Sequence, residues 1–216
     1  MVRSLGIAGR ILPPRLLLTT LRGGNSFQTP SPQIPVGGRL THFLKEWENI
    51  TQDSWVLSVI RGGLFLQFHT LPPLSEIPIS LSHTHIQEKH LLLSQEVLSL
   101  MSKGAIEIVQ DPGLIPGFYS RLFLVTKKTG VFRPVIDLSI LNTFLIIPHF
   151  KMETNRSIRQ CILPDMWVTS LDLTDAYFHI PIAPSCRKYL RSVLDNVVYQ
   201  FRALPFGLST ALLVFT

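Results

Sequence analysis

The sequence predicts an α+β fold for residues 86–216, and three observations predict it. An amphipathic helical run follows Ile86, two β-rich pairs are each broken by a turn signal, and a short apolar run ends in two carboxylates. In chain order this reads helix, hairpin, strand, hairpin, which is not the alternation of a doubly wound sheet. A chain of 216 residues, 46% hydrophobic, is long enough to bury a core of its own.

Residues 1–85 read as an N-terminal extension, largely linker-like. "NSFQTPSPQIPVGG" has linker composition. No acid precedes Glu46, while Arg3, Arg10, Arg15 and Arg22 do, as in an organelle transit peptide. Pro13-Pro14 and Gly23-Gly24 break the helix such a peptide needs, so a basic flexible leader is expected instead. "RLTHFLKEWENI" then sets Leu40, Phe43, Leu44 and Trp47 at helical spacing. "SWVLSVIRGGLFLQF" is β-rich, though it alternates poorly, and "TLPPLSEIPISL" reads as an extended, proline-spaced tether.

In "IQEKHLLLSQEVLSLMSKGAIEIV", Leu91, Leu92, Val97, Leu98 and Met101 fall largely on one helical face. Lys103 closes the last turn, Gly104 suits the C′ position, and "AIEIV" follows as a strand. The leucine stripe reads as core. "SRLFLVTKKTGVFRPVIDLSILN" predicts a hairpin turning at Lys128-Thr129-Gly130, with Pro134 at an edge or bulge. Arg121, Lys127, Lys128 and Arg133 lie on it, and no acid intervenes before Asp137. Taken alone, these cations are the solvated charges that protect an edge from aggregation. A second hairpin turns at Asp195-Asn196, "LPFGLST" breaks its strand, and the final residues start a helix.

"VTSLDLTDAYFHIPI" (168–182) has the look of a buried strand that ends in two acids. A buried carboxylate is costly unless paired, hydrogen-bonded or bound to metal. Asp175 suits the N-cap of a helix starting near Ala176, whereas Asp172 comes three residues too early to cap it. A carboxylate at a strand end can also hold Mg²⁺ against a phosphate. Spacing leaves both readings open.

Four stretches, in this order, resemble the front of a retroelement reverse transcriptase: "LMSKGAIEIV", "FLVTKKTGVFRPVIDLSILN", "SLDLTDAYFHIPI" and "LPFGLST". The wording of "RPVIDLSILN" and "DAYFHIPI", with "VGGRL" and "WENITQDSWVLSVI" upstream, is most similar to vertebrate DIRS-like retrotransposon polyproteins. The resemblance covers about residues 86–216, with a DIRS-like flank over 35–85. It implies an incomplete right-hand fold, with fingers at 86–152 and 184–206 and a partial palm at 153–183 and 207–216. It further implies that Asp172 is the first catalytic aspartate, a ligand of Mg²⁺, and that the Leu173 carbonyl is another metal ligand. Asp175 and Ala176 would hold an incoming dNTP through main-chain N–H groups, and Tyr177 would pack under its sugar as a steric gate. Lys127 and Arg133 would grip the triphosphate. Phe206 and Gly207 would back the nucleotide, and Arg121 and Lys128 would meet the RNA/DNA primer–template.

Two departures from the pattern stand out. Ala211-Leu212-Leu213 replaces the proline and arginine of "STAPRVF", and no adjacent Asp-Asp pair occurs in the 216 residues. The implied function is therefore a fragment of an RNA-directed DNA polymerase, inactive as given. The alternatives are a non-catalytic nucleic-acid-binding remnant and a relic that folds poorly. The formal charge of +6 agrees with an anionic partner but does not require one. Cys161 and Cys186 build neither a disulfide framework nor a cysteine metal cluster, which suits a reducing compartment in cytoplasm or nucleus. No run of about eighteen apolar residues suggests a membrane span.

Overall fold

The computed structural model describes residues 34–82, 86–126, 132–152, 154–160, 162–163, 165–167 and 172–215. The basic leader expected before residue 34 lies outside them. From Gly38 the chain enters a 3-10 turn, Arg39–Phe43, that runs into helix α1, Leu44–Ile50, where the apolar spacing predicts a helix. Helix α2, Ser54–Gly62, replaces the β-rich reading of "SWVLSVIRG". The Asp53 carboxylate accepts hydrogen bonds from the N–H groups of Trp55 (2.9 Å) and Val56 (3.2 Å), which starts the helix. Val56, Val59 and Ile60 bury one side of it, so one-sided packing outweighs the strand preference of β-branched residues.

The chain then turns at Gly63 (φ 85°), where a Cβ would overlap the Ala183 backbone. Leu64 pairs in parallel with Ile182, and Phe68 pairs antiparallel with Leu145. Val59, Leu64 and Leu66 enter the same apolar cluster as Leu93, Leu141, Ile182 and Leu204. Val59, Leu64 and Leu66 thus belong to the core, in a stretch expected to be largely linker-like. "TLPPLSEIPISL" does run without helix or strand, pinned where Ser75 bridges Gly117 and where the Leu122 N–H donates to the Ser82 Oγ.

Helix α3, Gln87–Ser102, buries Leu93, Val97 and Leu100. Leu91 and Leu98 of the expected stripe are exposed, at 59% and 68%, while Met101 packs against the core. The buried face thus keeps Val97 and Met101 of the expected stripe and takes Leu93 and Leu100 in place of Leu91 and Leu98. Gly104 (φ 65°) ends it as expected: its N–H donates to the Met101 carbonyl and that of Ala105 to the Leu100 carbonyl, the paired bonds of a Schellman motif.

Strand β1, Ile106–Ile108, follows within "AIEIV". Strands β2, Leu122–Thr126, and β3, Phe132–Ile136, form the first hairpin, in register Leu124↔Pro134. Theirs is a two-stranded sheet, so Pro134 stands on an edge strand as its missing N–H requires. The expected turn at Lys128-Thr129-Gly130 lies outside the described residues. Strands β4, Arg191–Leu194, and β5, Val197–Phe201, form the second hairpin. Asp195 and Asn196 turn it, both at positive φ (51° and 60°), as a two-residue hairpin loop demands. Strand β1 pairs antiparallel with β5, giving a three-stranded sheet in the order β1-β5-β4. Short helices α4, Ser139–Asn142, α5, Asn155–Gln160, and α6, Ala211–Phe215, complete the chain, the last where a helix start is expected.

Arg191 is buried yet lies on β4. Its guanidinium donates to the Ile115 carbonyl (2.7 Å) and the Gln200 Oε1 (3.2 Å). The Gln200 amide donates to Glu107 (2.8 Å), which also pairs with Arg187 (3.0 Å). The guanidinium thus meets acceptors on β5 and at Ile115 and reaches the Glu107 carboxylate of β1 through Gln200, which keeps a buried cation hydrogen-bonded. Among the described residues, no helix is long and apolar enough to cross a membrane.

Candidate functional site

The site grows from the turn after Thr174. Asp175 adopts the left-handed conformation (φ 54°, ψ 38°), which short polar side chains tolerate better than most, and opens the 3-10 turn Ala176–His179. It occupies the N-cap position, but its carboxylate caps nothing. The carboxylate instead pairs with Lys103 at the end of α3, Oδ2 to Nζ 2.9 Å. The turn closes through the Phe178 N–H on the Asp175 carbonyl (2.9 Å), and His179 Nε2 lies 3.2 Å from the Thr174 carbonyl oxygen.

Tyr177 projects against Phe206, with ring centroids 4.9 Å apart, and against Phe215, 5.4 Å away. Phe178 meets Phe206 edge-on at 5.8 Å. Such tilted and T-shaped pairs suit the quadrupoles of aromatic rings. Gly207 (φ 94°) turns the loop beneath Phe206 where a Cβ would press on the Ile136 carbonyl oxygen. Asn142, at the end of α4, holds that loop twice. Its amide donates to the Gly207 carbonyl (2.8 Å), and its Oδ1 accepts from the Ser209 N–H (2.9 Å).

The structure therefore brings Tyr177, in the turn that Asp175 and Ala176 open, against Phe206 of the loop that Gly207 turns. Asp172 and Leu173 are exposed and belong to no strand, and the residues expected to lead a strand into Asp172, 168–171, lie outside the described ones. Lys127, Lys128 and the Arg133 side chain also lie outside them. Arg121 is not unopposed: it stands 3.6 Å from Asp137 and 5.0 Å over the Phe123 ring. The Ser139 hydroxyl and N–H on Asp137, with Arg121 beside it, hold that carboxyl below its usual range. Lys103 and Asn142 are site residues that sequence reasoning missed. Lys103 reads as an ordinary last-turn cation, and Asn142 merely ends "RPVIDLSILN".

Among the described residues, no group of three His, Cys, Asp or Glu side chains is placed to hold a metal ion. Asp172 and one carbonyl do not make a two-ion site, so the donor set present does not fit the pair of Mg²⁺ ions that the resemblance implies.

Comparisons with known proteins bear on the class of this α+β fold. The fold is similar to the crystal structure of Prototype Foamy Virus Protease-Reverse Transcriptase, with a TM-score of 0.52 at 16% identity, over 69% of this chain and 19% of that one. The chain is 28% identical over 116 residues, 52% of its length, to the Gag-Pol polyprotein of Baboon endogenous virus (strain M7), of which it covers 6%. It is 30% identical over 119 residues, 55% of its length, to the Enzymatic polyprotein of Cestrum yellow leaf curling virus, of which it covers 18%. No protein-family profile matches the chain. The fold is thus reverse-transcriptase-like, and the chain spans only 6% and 18% of these two polyproteins.

Proposed function

We propose that residues 86–216 are the fingers and partial palm of an RNA-directed DNA polymerase of DIRS-like kind, with a surface for primer–template and dNTP. The observation that carries this reading is the contact between Tyr177 and Phe206. These two residues come from separate stretches, and the resemblance that assigns both to the nucleotide site does not itself require that they touch. Phe206 remains 39% exposed, so the aromatic face can still receive a base or sugar. The pairing of the Asp175 carboxylate with Lys103 agrees with a role for Asp175 through its backbone, since its side chain is already engaged.

Mg²⁺ would supply charge neutralisation at the phosphates in such an enzyme. The donors present do not fit two ions, and no step is derived through them. A second reading is that these residues bind nucleic acid without catalysing its extension.

A labelled primer–template titrated with the protein across a salt series tests the shared claim. Affinity is expected to fall linearly with salt on a logarithmic plot, by a slope of about −0.9 per phosphate contact on duplex. Replacing Lys127, Lys128 and Arg133 together with Ala should flatten that slope by roughly 2 to 3. Binding that ignores salt, or a triple variant that binds like the parent, would count against both readings.

A further inference from the structure

The turn that carries Asp175 and Tyr177 is held from outside, by a segment with no assigned role. A non-glycine residue in the left-handed region persists only where its surroundings over-determine it. Here the surroundings come from "PVGG" and from the end of α3. The Gly37 N–H donates to the Lys103 carbonyl (2.8 Å), filling one of the helix-terminal acceptors that have no partner within the helix. The next N–H along, that of Gly38, donates to the Phe178 carbonyl (2.8 Å). Two consecutive amides thus tie the helix end to the turn. Lys103 closes the triangle through its ammonium on Asp175. The fit depends on glycine. A Cβ on Gly37 would overlap the Gly104 carbonyl, and Gly38 has φ 69°.

We propose that Gly37, Gly38 and Lys103 form a positioning brace that sets the Asp175–Phe178 turn for nucleotide binding. None of the three touches the nucleotide; they act through the conformation of the turn. The inference rests on the proposed nucleotide site, because a brace needs something to position.

Amide exchange and nucleotide binding, measured on the whole chain, separate the two claims. In Lys103→Gln, exchange at Phe178 is expected to rise about two- to fivefold, the size that a partly exposed ion pair commands. Lys103→Arg should restore the parent value, since it keeps the charge. Gly37→Val should raise exchange at Phe178 further, because the overlap drives the strap off the helix end. Affinity for dTTP on a primer–template should fall in Lys103→Gln by the same factor, with primer–template affinity and thermal midpoint nearly unchanged. A merely structural ion pair would not divide the two affinities in this way. Unchanged exchange at Phe178 in Lys103→Gln overturns the brace. Raised exchange with dTTP affinity retained overturns its positioning role. A parent protein that binds no dTTP refutes the nucleotide site instead, and with it the positioning claim, whatever the exchange shows.

Discussion

Replacing Leu64 with alanine is expected to destabilise the protein by about 2–5 kcal/mol, the range for truncating a large side chain in a closed core. Leu64 is 5% exposed. Its N–H donates to the Pro181 carbonyl and its carbonyl accepts from the Ala183 N–H, so the backbone around the new cavity is fixed on both sides. A site held this way collapses poorly, and a poorly collapsing site pays the cavity term as well as the lost transfer energy. Leu71, further along the same segment and 71% exposed, supplies the control. Leu71→Ala should shift stability by no more than ~0.5 kcal/mol. Urea unfolding of both variants decides the matter. A Leu64→Ala curve that overlays the parent would mean that Leu64 does not belong to the core.

The second large effect is an expected absence of polymerisation. A protein of these 216 residues should not extend a primer on an RNA template with either Mg²⁺ or Mn²⁺. In-line phosphoryl transfer by two ions requires carboxylates that clamp both at roughly 4 Å separation. Asp172 is the one side chain assigned to that task, Asp175 is engaged with Lys103, and no Asp-Asp pair exists in the sequence to add the rest. Extension by a preparation free of other polymerases, lost on Asp172→Asn, would contradict this.

Local chemistry was legible in the sequence and tertiary choice was not. Gly104 ends α3 and Asp195-Asn196 turn the second hairpin because positive φ selects those residue types, and that selection is visible in one short window. On α3 the expected stripe holds at Val97 and Met101 but not at Leu91 and Leu98, which satisfy the helical period as well as Leu93 and Leu100 do. Only the position of the sheet decides between them. Helix α2 was misread for a different reason. Its β-branched residues dominated the reading, although Asp53 stood directly before Ser54 as a capping signal.

At the candidate site, the stretches holding Tyr177 and Phe206 were legible through one resemblance that covers both. Lys103 and Asn142 were not. Each reaches a partner far along the chain, Asp175 in one case and the 207–209 loop in the other, and no periodicity records such a pairing. The same holds for residues 34–82, where Pro- and Gly-rich composition suggested a linker. Glycine at 37 and 63 instead permits close approach to the Gly104 and Ala183 backbones, which is a packing role.

The most direct measurement is photo-crosslinking of a base-modified dNTP to the whole chain in the presence of primer–template, with the attachment sites mapped by mass spectrometry. The account predicts attachment at Tyr177 or at Phe206-Gly207, competed by unmodified dNTP and diminished in Tyr177→Ala. Attachment confined to other parts of the chain, or attachment that unmodified dNTP does not compete, would contradict it.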